Sequence, residues 1–309
     1  MIIIKDKPGQ LCNRLWAYSP FIAFCLKHNC RLTVLHFDNY HKLFDNLDRY
    51  SNIKIGAVNS LFTFRVLRRI ILTMHSLKLD LLLPGVNMNM KIQELTSDLN
   101  RYLSKKNNVL IINSELIKDA WKYIPDHNLM SEYKSEIRQL FAPQNQTVMQ
   151  VEKVFDQNVK PERLIVGVHL RRGDYKTFMN GRYFFDGEVY RLAMNTLQEQ
   201  IQRETGNETL FLLCSDSPVN MNSFDDFNTF QVKDTSAIKD LYALSRCNYI
   251  IGPPSTFSMW ASYYGDVPLR FLMSKEENIH LSDFSPIVSQ NRFKNGTIFI
   301  HKPLITMSL

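Results

Sequence analysis

The chain has 309 residues, of which 45% are hydrophobic, 12% aromatic and 22% charged, enough apolar surface for a core that needs neither disulfides nor metal. That balance excludes disordered, collagen-like, coiled-coil and low-complexity classes, and the length predicts two domains of about 150 residues each. The net charge of +7 is uneven: residues 1–150 hold 20 Lys or Arg against 12 Asp or Glu, net +8, while residues 151–309 hold 17 against 18, net −1. A basic surplus in one half fits a nucleic acid, an anionic membrane or an anionic donor molecule, and selects none of them.

Residues 1–4 (MIII) predict a short buried strand, stopped by charge and by Pro8-Gly9 before an apolar segment, 15–26, of helical pattern. The opening run is too short for a signal peptide, and no stretch of about 18 uncharged apolar residues predicts a membrane span. Cys12, Cys25, Cys30, Cys214 and Cys247 are scattered, without a C-x-x-C pair. Reduced thiols in a cytoplasmic protein are therefore expected. Residues 31–36 (RLTVLH) form the next β-rich run, so the chain opens in β-α-β order, which calls for a parallel sheet, and residues 109–113 (VLIIN) predict a later strand of it.

Between these strands, residues 61–83 mix apolar and aromatic side chains with Arg65, Arg68, Arg69, Lys78 and Asp80, which excludes a spanning helix. A basic helix packed on its own domain is the expected form, and an amphipathic helix in peripheral contact with an anionic membrane is the other. Pro143, several Gln and Asn, and Pro161 mark a boundary within residues 142–161, giving domains 1–155 and 156–309.

The second domain repeats the alternation. Residues 164–170 (LIVGVHL) predict a parallel-sheet strand, and 188–203 a helix with Val189, Ala193, Leu197 and Ile201 on one stripe. Residues 210–214 (LFLLC) predict a strand, 240–247 a helix, and 249–252 a strand ending in glycine. After Pro253-Pro254, residues 255–264 open a helix with Ser255 or Thr256 as N-cap.

Three constellations could carry chemistry. His169-Leu170-Arg171-Arg172-Gly173-Asp174 follows the strongest strand, where open α/β sheets place ligands. Strand alternation sends His169 and Arg171 to one face and Arg172 to the other, and a guanidinium fork matches phosphate oxygens. Interdomain salt bridges for both arginines, with Gly173-Asp174 as a plain turn, are the competing explanation. Ser255-Thr256-Phe257-Ser258 opens a helix whose N–H groups form an anion site, though simple capping explains it too. The loop of residues 8–14 brings Gly9, Asn13 and Arg14 to the carboxyl edge of the first sheet, where an ordinary β-α turn is equally compatible.

The chain has no G-x-G-x-x-G, Walker, G-x-S-x-G or H-E-x-x-H motif, and no D-x-D. Dinucleotide oxidoreductase, serine hydrolase and zinc-protease classes recede, and a diphosphate would be neutralised by arginine and a helix N-terminus rather than through a metal.

These residues resemble the GDP-fucose-dependent fucosyltransferases, most closely the α-1,2 family, glycosyltransferase family 11. His169 to Asp174 is similar to its H-x-R-R-G-D motif. Asp240 to Cys247, with Ser255-Thr256-Phe257-Ser258 and Trp260-Ala261, is similar to its S-T-F-S-W-W-A block with Met259 for the first tryptophan. Cys214-Ser215-Asp216 stands where the family has Ser-Asp after a strand. Residues 9–16 resemble its glycine-rich opening loop, with Gln10 and Cys12 in place of glycines, Arg14 in place of a glutamine and Trp16 in place of a phenylalanine.

The resemblance implies a glycosyltransferase B fold, two Rossmann-like domains facing across a cleft, with the donor mainly in the C-terminal one. It implies inverting, metal-independent transfer of L-fucose from GDP-fucose to a glycan hydroxyl, with no cofactor and no nucleic acid. Arg171 would contact the β-phosphate, His169 and Asp240 the guanosine side, and Ser255, Thr256 and Phe257 phosphate and ribose. Asp216, Gly9, Asn13 and Arg14 would complete the donor site, and Arg172 would support the loop. Asp174, with Asp38 as second choice, is the expected general base. An α-1,6 or protein O-linked fucosyltransferase, or a non-catalytic module for an anionic polymer or membrane, remain as alternatives; the acceptor and the oligomeric state are open.

Overall fold

The computed structural model describes residues 1–56, 61–77, 79, 86–90, 95–103, 109–112 and 127–287. They divide into two compact units, residues 1–144 and residues 145–287.

In the first unit, β1 (Ile2–Ile4) lies between β2 (Leu32–Val34) and β5 (Val109–Ile112), all parallel, with Ile2 opposite Leu32 and Leu110. A strand covered on both faces needs no polar side, which is why three consecutive isoleucines suit the centre. Adding β3 (Ile53–Ile55) and β4 (Val86–Met90) gives the order β3-β2-β1-β5-β4. Helix α1 (Leu11–Lys27) covers the sheet and begins at Leu11 rather than at residue 15, because Leu11 and Cys12 are already buried. That start moves Asn13 and Arg14 from the loop into the first helical turn.

Helix α2 (Leu61–Ser76) fills most of the basic apolar segment, and of the expected stretch residues 78 and 80–83 lie outside the described residues. Shorter helices follow, α3 (Leu95–Leu103), α4 (His127–Glu132) and α5 (Lys134–Leu140). The unit closes where Phe44 bridges Pro143 and the Gln144 amide donates to the Leu43 carbonyl at 3.0 Å.

Helix α6 (Asn145–Asn158) belongs to the second unit, which places the division at residues 144/145 rather than 155/156. Phe155 packs edge-on against Phe230 at 5.5 Å, and Glu152 accepts from the Tyr242 hydroxyl at 2.7 Å and pairs with Arg246 at 2.8 Å. The polar composition of this stretch suggested a linker, whereas Val151 and Phe155 supply enough apolar surface to anchor it.

The second sheet has the order β10-β9-β6-β7-β8, all parallel, built from β6 (Arg163–Leu170), β7 (Glu208–Ser215), β8 (Thr229–Phe230), β9 (Tyr249–Gly252) and β10 (Leu269–Phe271). The two faces of β6 meet different helices. Val166, Val168 and Leu170 enter one core with Tyr190, Ala193, Met194, Leu197 and Ile201 of α7 (Gly187–Thr205). On the other face, Gly167 lies under α8 (Ala237–Leu244): a Cβ there would stand 2.6 Å from Leu244 Cδ2. From β6 the chain moves outward through β7 and β8, then returns to β9 on the opposite side. This reversal opens a crevice at the carboxyl ends of β6 and β9.

Candidate functional site

The crevice brings together the residues after β6 and those opening α9 (Thr256–Gly265), which follows β9. Gly252 makes this junction close: a Cβ there would lie 2.7 Å from the His169 carbonyl oxygen, so no larger residue fits between the strand ends. His169 is 3% exposed on the α8 and α9 face of β6, with Nδ1 2.7 Å from Ser258 Oγ and its ring 5.0 Å from that of Phe257. Burial first, then the Arg171 charge, push the imidazole down to about 3 against the pull of Asp216, so it is neutral at physiological pH.

Arg171 sits two residues further on. Its Nη2 lies 2.7 Å from Asp174 Oδ1 and its Nη1 2.9 Å from Asp216 Oδ2. Its Cζ stands 5.4 Å from the centre of the Tyr175 ring, and Nε is buried with no hydrogen-bond partner among the described residues. Both ion pairs of Arg171 are made within its own unit, unlike the interdomain pairs of the competing explanation, and one donor is left unused.

The two carboxylates differ. Asp216 Oδ1 accepts the Arg172 and Gly173 amides at 2.8 and 3.3 Å, while Oδ2 holds the guanidinium. A Cβ at Gly173 would come 2.6 Å from Asp216 Oδ2, so glycine at 173 permits this embrace. The Asp174 side chain is 61% exposed, and an ion pair of that kind contributes about 0–1 kcal/mol. The Asp174 contact is therefore the weaker of the two, and Asp216, 24% exposed and bound to two amides as well, is the firmer partner.

Ser255 caps α9, its Oγ accepting the Phe257 amide at 3.2 Å, as the S-T-F-S pattern predicts. Thr256 and Phe257 lie in the first turn, where N–H groups point outward and an anion is favoured. Tyr175 ties the two loops together, its buried hydroxyl donating to the Pro254 carbonyl while its ring underlies Arg171. The sequence singles out Ser258 within the S-T-F-S pattern but not its contact with His169, and nothing local marks Tyr175, whose partner lies 79 residues away.

Asp240 is buried in the first turn of α8 and accepts from Thr235 Oγ1. Burial raises its carboxyl to about 6, partly opposed by the Thr235 and Cys214 hydrogen bonds. The group thus changes charge close to neutral pH.

In the first unit, Arg14 is 4% exposed and donates from Nε to the Pro8 and Gly9 carbonyls at 3.1 and 3.2 Å and from Nη1 to the His36 carbonyl at 3.2 Å. Its Cζ lies 4.9 Å from the Tyr40 ring centre. Asn13 packs on Gly9 so closely that a Cβ at Gly9 would overlap its amide. These residues build the β1–α1 connection. Asp38 pairs with Arg68 of α2, and its backbone carbonyl is 2.6 Å from His41 Nδ1.

The glycosyl transferase family 11 model matches residues 42–267, more than half of the chain. The chain belongs to that family and is a glycosyltransferase. No curated protein matches it. Among solved structures it is similar to NodZ, an α-1,6-fucosyltransferase from Bradyrhizobium, in a crystal soaked with GDP-fucose, at 13% identity and a TM-score of 0.52, covering 87% of this chain and 93% of that one. It is also similar to a mutant of Arabidopsis thaliana FUT1 in complex with GDP, at 13% identity and a TM-score of 0.55, covering 90% of this chain and 71% of that one. At such identity the likeness speaks for the fold, and with two parallel-sheet Rossmann-like units that fold is glycosyltransferase B.

Proposed function

We propose that the chain transfers L-fucose from GDP-fucose to a glycan hydroxyl with inversion, forming an α-1,2 linkage and using no divalent metal. The observation that carries this reading is the Arg171 guanidinium at the β6 tip, with an unused buried donor and an exposed, displaceable carboxylate partner. Family membership and the two similar folds, whose structures hold GDP-fucose or GDP, support the choice of donor.

Fucosyl transfer breaks the bond between the anomeric carbon and the β-phosphate oxygen while the acceptor oxygen bonds that carbon from the opposite face and its proton is released to solvent, passing through an oxocarbenium-like state as negative charge gathers on GDP. Arg171 and the first turn of α9 stabilise that charge, and one such preorganised donor contributes about 3–4 kcal/mol. Asp216 holds the guanidinium in place and is a positioning residue. His169, neutral and fixed by Ser258, together with Asp240 takes the guanosine side, while Ser255, Thr256 and Phe257 take phosphate and ribose. Gly9, Asn13 and Arg14 shape the connection after β1.

The test measures GDP release and product linkage with GDP-fucose, a chelator and a panel of glycan acceptors. Transfer in the chelator with an α-1,2 product is expected. A strict metal requirement overturns the metal-free mechanism, an α-1,6 or protein-linked product overturns the linkage, and GDP binding without turnover on any acceptor leaves a binding module.

A further inference from the structure

Helix α2 is anchored by one side and bare on the other. Arg68 reaches inward to Asp38 and Ile71 is 8% exposed, whereas Val66, Ile70 and Leu77 are 43, 50 and 62% exposed. Leu77 continues the helical turn, its amide donating to the Thr73 carbonyl at 3.0 Å. At about 100° per residue these three side chains fall within one stripe roughly 40° wide, and the exposed Arg69 and Arg65 lie on one flank, about 60° and about 100° from its edge.

A single exposed aliphatic residue is ordinary, but a row of three beside two arginines is not. The surrounding sequence carries the same sign: between Asp48 and Asp80 there is no carboxylate, and there are six basic residues, Arg49, Lys54, Arg65, Arg68, Arg69 and Lys78.

We propose that this face of α2 seats on an anionic lipid surface, the aliphatic stripe entering the acyl boundary and the arginines meeting headgroup phosphates. A second copy of the chain is a poorer occupant, because residues 1–150 carry net +8 and like charges would face each other. A lipid surface satisfies both halves of the face at once, since the arginine stems lie along the apolar boundary while their heads stay wet. The inference goes beyond the transfer reaction and does not depend on it.

The test is co-sedimentation of the full chain with phosphatidylcholine vesicles, with and without phosphatidylglycerol, at low and high salt. The pairs Ile70→Asp with Leu77→Asp, and Arg65→Glu with Arg69→Glu, change exposed side chains only, and each is checked for an unchanged unfolding midpoint. The wild type is expected to bind the anionic vesicles alone and to weaken with salt. Each pair lowers the partition coefficient by about tenfold or more. Absence of wild-type binding, binding by either pair as tight as that of the wild type, or self-association in solution that both pairs abolish overturns the proposal.

Discussion

Two arginines stand just past the central strand of a parallel sheet, and they do different work. Arg14 gives Nε and Nη1 to three backbone carbonyls and is 4% exposed. Arg171 gives its two Nη atoms to carboxylates and keeps a buried Nε without a partner among the described residues. Buried backbone carbonyls cannot be exchanged for a ligand without dismantling the loop. An exposed carboxylate such as Asp174 can be exchanged, because a phosphate brings the same kind of oxygen with more charge. Position at the edge of a sheet is therefore the same for both arginines, and it is the kind of partner that tells them apart.

The sharpest way to break this comparison is to remove each arginine in turn. Arg171→Ala should lower kcat by about 10²–10³-fold, with an unfolding midpoint moved by no more than about 2 °C. Arg14→Ala should strand the carbonyls of Pro8, Gly9 and His36 and lower the midpoint by about 4 °C or more. Thermal unfolding beside steady-state kinetics reads both, and a reversed pattern would exchange the roles of the two residues.

Asp216 is next in size. Asp216→Asn keeps an acceptor for the Arg172 and Gly173 amides but loses the charge that orients Arg171. The donor KM should rise by about tenfold, with a smaller change in kcat. A change in the unfolding midpoint with normal kinetics would make Asp216 purely structural.

The comparison also has a pH signature, through Asp240. With its carboxyl raised to about 6, the side chain is mostly neutral at pH 5 and mostly ionised at pH 7. If the carboxylate accepts from the guanine base, GDP affinity rises about tenfold across that interval, and Asp240→Asn flattens the rise. Stability runs the other way: the folded state binds the proton more tightly than the unfolded one, so this group's contribution declines as pH climbs from about 4 to 6. Calorimetric titration of GDP against pH measures the first effect and thermal unfolding the second.

The smallest effect is expected at Asp174. As a displaceable partner of Arg171 it should tolerate Asp174→Asn with kcat within about threefold and an unchanged pH profile. Loss of the acidic limb of that profile would instead make it the base that deprotonates the acceptor.

The strands β1, β6, β7 and β9 were legible as unbroken apolar runs, and α7 by the helical period of Val189, Ala193, Leu197 and Ile201. The edge strands β3, β8 and β10 were not, because Lys54 and Arg270 interrupt β3 and β10 and β8 has only two residues. The division at residues 144/145 was obscured by α6, whose polar surface resembles a linker until Phe155 meets Phe230. At the site, the strand pattern placed His169 and Arg171 on one face. Among the partners that separate a held arginine from an available one, Asp216 at Arg171 and the His36 carbonyl at Arg14 arrive through tertiary contacts that no local spacing encodes, as does the Pro254 carbonyl that fixes Tyr175.

The most direct measurement is a crystal structure of the full chain with GDP. The diphosphate should lie against Arg171 and the first turn of α9, with Asp174 swung away and Asp216 still holding the guanidinium. A nucleotide bound elsewhere, while Arg171 stays clasped between Asp174 and Asp216, would contradict it.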